Sequence, residues 1–99
     1  MRHNIKLFHR ILESIKNYIK GKGYYISVNC DKQDYYIYTI ILMYRPLLNL
    51  LDQLKIPYTK EAPTNLLSGI SIKKINYELI PQETLNQMVA LLKLKGIMQ

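Results

Sequence analysis

Residues 35–54 are almost continuously apolar, and Pro46 stands alone in the middle of them. Proline inside a helix removes a backbone hydrogen bond and costs about 3 kcal/mol, whereas at the first helical position it is well accommodated. The stretch therefore reads as two elements. The segment YYIYTIILM, residues 35–43, is almost all β-branched or aromatic and predicts a strand. A helix then opens at Pro46, with Leu47, Leu48, Leu50, Leu51 and Leu54 as its apolar residues. The competing reading is one helix over residues 35–54, since Ile37, Ile40, Ile41, Tyr44, Leu48 and Leu51 also recur at helical spacing. The run of residues 35–44 is too short to span a bilayer, so no membrane partner is expected.

Helical spacing of Phe8, Ile11, Leu12, Ile15 and Ile19 predicts a helix over residues 5–20, with Asn4 as its N-cap. Its opposite face carries Lys6, Arg10, Glu13, Asn17 and Lys20. Gly21 and Gly23 supply the stop, and at least one of them should take a positive φ. A strand is expected over residues 24–29, a hairpin turn over 30–34, a short strand over 58–62, a loop over 62–69 with Pro63, Asn65 and Gly69, and a strand over 70–78. Pro81 opens a last helix through Leu94, with Leu85, Met88, Val89 and Leu92 inward and Gly96 closing it. The expected architecture is one small α+β domain over residues 1–99, in the order helix-strand-strand-helix-strand-strand-helix with an antiparallel sheet.

Fourteen lysines and arginines face seven acidic residues, a formal charge of +7. Such a surplus on so small a body points to polyanion partners, RNA or DNA above all. It is unevenly placed: Arg2, Lys6, Arg10, Lys16, Lys20 and Lys22 crowd residues 2–22, opposed by Glu13 alone. A single cysteine, Cys30, builds no disulfide framework, and a reducing compartment inside the cell is expected. Residues 1–22 are basic and amphipathic, similar to an organellar transit peptide. Heavy use of Ile, Lys, Asn and Tyr fits AT-rich codons, and both features fit a mitochondrion or other organelle.

Catalytic chemistry finds no footing. His3, His9 and Cys30 lack metal-ligand spacing. Ser14, Ser27, Ser68 and Ser71 sit in no nucleophile-elbow context. Gly21-Lys22-Gly23 is too short to cradle a phosphate, and Asp31 with Asp34 suits a hairpin turn. No enzymatic activity, metal or cofactor is expected. The sharper feature is five tyrosines on the proposed hairpin: Tyr24, Tyr25, Tyr35, Tyr36 and Tyr38. Alternation turns about half of them away from the core, where they can stack on bases. Lys20, Lys22, Tyr25, Lys32, Lys73 and Lys74 are the candidate nucleic-acid contacts, lysines neutralising phosphates and tyrosine stacking.

The element order resembles that of a LAGLIDADG homing-endonuclease half-domain. In that family the first helix ends in an acidic, glycine-punctuated motif, I-D-G-E-G or I-D-A-D-G, and a strand follows at once. The matching stretch is Ile19-Lys20-Gly21-Lys22-Gly23, followed by YYISVN. PLLNLLDQLKIPYTKE, residues 46–61, is similar to the family's second helix running into its third strand. The family's metal-binding carboxylate would fall at Lys20, beside Lys22, and an ammonium cannot ligate magnesium. The resemblance therefore implies a relative without catalysis that keeps a nucleic-acid surface. First helices of two half-domains pack together in the family, which implies a homodimer or larger assembly through the first helix. A second resemblance is to organellar members of the small-subunit ribosomal protein family numbered eight, carried by Ile15-Lys16-Asn17 and Lys95-Gly96-Ile97-Met98. It implies a structural RNA-binding protein of an organellar ribosome. A phage or mobile-element inhibitor of a host protein is the remaining alternative.

Overall fold

A computed structural model describes residues 2–64 and 66–99, with the side chains of residues 2 and 3 outside the description. Met1, Asn65 and the side chains of Arg2 and His3 therefore lie outside the described residues. Helix α1 (Arg2–Gly21) buries Phe8, Ile11, Leu12, Ile15 and Ile19, the stripe its periodicity predicts. The helix starts earlier than expected, so Asn4 lies within it and is not the cap. Its side-chain amide instead donates to the carbonyl of Ile80, tying α1 to the segment before the last helix. Gly23 takes the left-handed conformation at φ 91 and donates to the carbonyl of Lys20, while Gly21 ends the helix.

Strands β1 (Ile26–Cys30) and β2 (Asp34–Ile40) form a hairpin. Asp31 closes its turn: the carboxylate accepts from the amides of Gln33 and Asp34, each at 2.8 Å. Helix α2 (Ile41–Gln53) follows directly, with Pro46 inside it. The expected boundary at Pro46 is thus five residues late, and neither the long strand nor the single long helix is correct. The amide that proline lacks would have bonded the carbonyl of Leu42. Leu42 is exposed in the first turn, where water can satisfy that carbonyl. Leu47, Leu48, Leu51 and Leu54 are buried, and Leu50 is half-buried.

Strand β3 (Thr59–Thr64) pairs with β4 (Leu67–Lys73), so most of the expected loop over residues 62–69 is hairpin. A register shift between Glu61 and Thr64 accommodates Pro63, as suits an edge strand. The expected strand over residues 70–78 ends at Lys73. A short helix α3 (Ile75–Glu78) takes its place and turns Tyr77 into the core. Helix α4 (Gln82–Leu94) starts after Pro81 and closes on Gly96 at φ 75, with Leu85, Met88 and Leu92 buried.

The result is an α+β fold with a four-stranded antiparallel sheet in the order β1-β2-β4-β3. Ile26, Tyr35, Ile37, Thr39, Ile70 and Ile72 face the helices and are buried with the α1 stripe in one core. Because that stripe is spent on this chain's own core, it is not free for the assembly through the first helix that was expected. The radius of gyration, 12.9 Å, matches that of a compact domain of this length. Among the described residues, no helix is long and apolar enough to cross a membrane.

Candidate nucleic-acid interface

Strand alternation gives the sheet a second, open face. In β2 every other residue is buried, so Tyr35, Ile37 and Thr39 point into the core while Asp34, Tyr36, Tyr38 and Ile40 point outward. The register places Ser27 and Asn29 of β1, and Gly69, Ser71 and Lys73 of β4, on the same outward side. Glu61 and Thr59 of β3 extend it.

Three contacts fix this surface. Gly69 is buried beneath Tyr38: a Cβ there would overlap Cδ1 and Cε1 of the ring and lie 3.0 Å from Cζ. Contact with three successive ring carbons means the ring lies across the strand, not edge-on to it. Tyr36 donates its hydroxyl to Asp31 at 3.0 Å and approaches Asp34 at 3.4 Å, which pins its ring toward the hairpin turn. That bond to Asp31 is the main reason the Tyr36 phenol is pushed up to about 12. Thr39, buried on the core side, donates to the carbonyl of Tyr25 at 2.7 Å and holds the backbone just before β1. Tyr25 is 52% exposed.

The six predicted contact residues fall into two groups. Lys20, Lys22 and Tyr25 lie at the end of the sheet where α1 meets β1. Lys32, Lys73 and Lys74 lie at the opposite end, around a hollow of about 290 Å³ that Gln33, Asp34 and Ile75 also line. The length of β1, roughly 15 Å, separates them.

Two lysines turn away from the open face. Lys22 places its ammonium 4.9 Å from the centroid of Tyr18, whose ring borders a hollow with Pro46, Leu50 and Ile97 on the helix side. Lys74 places its ammonium 5.3 Å from the centroid of Tyr35, a core-facing ring. Lys20, Lys32 and Lys73 remain as exposed cations, in no salt bridge among the described residues. Lys73 stands opposite Asp34 in the register. The middle of the face also holds Glu61, which accepts from Ser71 at 3.2 Å. Exposed lysines therefore lie at the ends, with Asp31 and Asp34 beside those at one of them, and the centre is aromatic with one carboxylate.

Sequence reasoning missed Ser27, Asn29, Thr39 and Gly69. Gly69 is expected in a loop, whereas it lies inside β4, where a lone glycine permits a close approach. It also missed a cluster of exposed apolar side chains, Ile41, Leu42 and Leu66, near the Tyr25 end. Among the described residues, no group of three His, Cys, Asp or Glu is placed to hold a metal ion. The chain matches no protein-family signature, no curated protein and no solved structure.

Proposed function

We propose that this chain is a non-catalytic nucleic-acid-binding protein with a LAGLIDADG-like fold, and that the open face of its sheet is the contact surface. The observation that carries the reading is the arrangement of that face: Tyr36 and Tyr38 along its middle strand, Tyr25 at one end, and exposed lysines at both ends. Aromatic rings offer every base a stacking partner, and flanking cations neutralise the phosphates. The net charge of +7 brings a polyanion to the surface from any direction. The element order, helix-strand-strand-helix-strand-strand followed by the short α3 and the last helix, supports the resemblance that motivates the fold name. Lys20 and Lys22, standing where that family carries acids, support binding without cleavage.

The test is an anisotropy titration of labelled RNA and DNA at low salt, repeated with magnesium and followed on a denaturing gel. Saturable binding with intact nucleic acid is the expected result. No binding to either polymer contradicts the proposal, and magnesium-dependent cleavage contradicts its non-catalytic half.

A further inference from the structure

The open face repeats one pairing. Ser27 stands opposite Tyr38, and Asn29 stands opposite Tyr36. Side chains directly opposite in an antiparallel pair have Cβ atoms about 5 Å apart, so each ring has a neutral hydroxyl or amide beside it. Among the described residues, neither Ser27 nor Asn29 spends its side chain on a hydrogen bond. Both rings are already fixed, Tyr38 by lying on Gly69 and Tyr36 by its bond to Asp31, so little ordering cost remains when a base stacks on them.

The spacing selects the strand type. Tyr36 and Tyr38 are two residues apart on one strand, about 6.8 Å. That is twice the roughly 3.4 Å step between bases in a duplex. Bases lying on both rings are therefore unstacked from each other, which an intact duplex does not allow. The hydroxyl and amide beside the rings suit the ribose 2′-hydroxyl, a donor and acceptor that DNA lacks. Lys32 and Lys73 lie beyond the Tyr36 end, where the chain's phosphates would leave the face.

We infer that the open face of β1 and β2 binds single-stranded RNA, one base on Tyr38 and the next on Tyr36, with Ser27 and Asn29 bonding the riboses and Lys32 and Lys73 neutralising phosphates. This rests on the nucleic-acid reading above.

The experiment compares labelled oligouridylate, oligothymidylate and duplex RNA of equal length by fluorescence anisotropy, using the whole chain. Oligouridylate should bind tightest. Tyr38→Leu should weaken it about 5- to 150-fold, the loss of one base–aromatic stack. Tyr38→Phe should leave it nearly unchanged. Since Tyr38→Leu also uncovers Gly69, thermal melts accompany the titrations. Should that variant fail to fold, Tyr36→Leu and Ser27→Ala decide the matter. The first should weaken RNA binding, and the second should narrow the preference for RNA over DNA without moving the melting temperature. Duplex bound as tightly as single strands, RNA and DNA bound alike, or a folded Tyr38→Leu or Tyr36→Leu that binds as the parent does, overturns this inference and leaves general nucleic-acid binding standing. Failure of all three polymers, and of duplex DNA, to bind at low salt removes both.

Discussion

The rings of Phe8 and Tyr77 lie parallel, with centroids 3.7 Å apart and an interplanar angle of 6°. Phe8 belongs to α1 and Tyr77 to α3, so this stack docks a four-residue helix onto the core. Phe8 also meets Tyr35 edge-on at 5.7 Å, which joins α1 and α3 to the sheet. The Tyr77 hydroxyl is buried without a hydrogen-bond partner among the described residues, and burial pushes its titration well above the ordinary range. An unsatisfied buried hydroxyl costs about 1–3 kcal/mol. Tyr77→Phe keeps the stack and removes the orphan, so it should stabilise the domain by about 1 kcal/mol. Phe8→Ala should destabilise it by about 3–5 kcal/mol. Urea denaturation of the three proteins checks both, and a destabilised Tyr77→Phe would reveal a partner for the hydroxyl.

The Tyr38–Gly69 contact predicts a coupled pair. Gly69→Ala inserts a methyl group where the ring sits and should cost about 1–3 kcal/mol. With Tyr38→Ala in the background the ring is gone, and the same change should cost much less. A double-mutant cycle should therefore give a coupling of about 1 kcal/mol or more. Additive effects would show that the ring does not occupy that space.

The two glycines at the C-terminal end of α1, Gly21 within it and Gly23 just beyond, should behave oppositely. Gly21 ends the helix with open space around its Cβ position, so Gly21→Ala should be neutral or stabilise by up to about 1 kcal/mol. Gly23 sits at φ 91, where a side chain is strained, and Gly23→Ala should destabilise by about 1 kcal/mol or more. Thermal melts of the two single variants separate these cases.

The hairpin turn makes a pH prediction at both ends of the scale. Backbone amides of Asp34 and Gln33 hold the Asp31 carboxyl below its ordinary 3.8. A depressed carboxyl stabilises the fold above that ordinary value and ceases to do so as pH falls through its folded value. Tyr36 is raised from 10.0 to about 12, chiefly by its hydrogen bond to Asp31. Its contribution is complete below 10 and is lost as pH rises through about 12. Asp31→Asn should therefore lower the Tyr36 transition in an alkaline phenolate titration. Its stability deficit relative to the parent should also shrink in acid. A Tyr36 transition that does not move would show that Asp31 is not its partner.

Much of the fold was legible because its period was unambiguous. The stripes of α1 and α4 repeat at helical spacing and are buried as read, except Val89, which is half-buried, and the alternation of Tyr35, Tyr36, Ile37 and Tyr38 marks an inner and an outer face. The β2–α2 boundary was hidden because Ile40, Ile41, Leu42 and Met43 suit a strand and a helix equally. The helix α3 was hidden because INYE continues the apolar alternation of β4. The site was half legible. Its tyrosines and lysines are readable as residue types, but Lys22 and Lys74 turn toward Tyr18 and Tyr35 through tertiary packing. Gly69 meets Tyr38 only through the β2–β4 register, a long-range pairing that no local pattern encodes.

The central claim, that lysines at the ends of the sheet hold nucleic acid by its phosphates, is tested most directly by the salt dependence of binding. Each phosphate contact on a single strand contributes a slope of about −0.7 in log Kobs against log salt. About three to five contacts give roughly −2 to −4, and Lys32→Ala/Lys73→Ala should make the slope shallower by about 1.4. A parent slope near zero, or a double variant whose slope and affinity equal the parent's, would contradict the account.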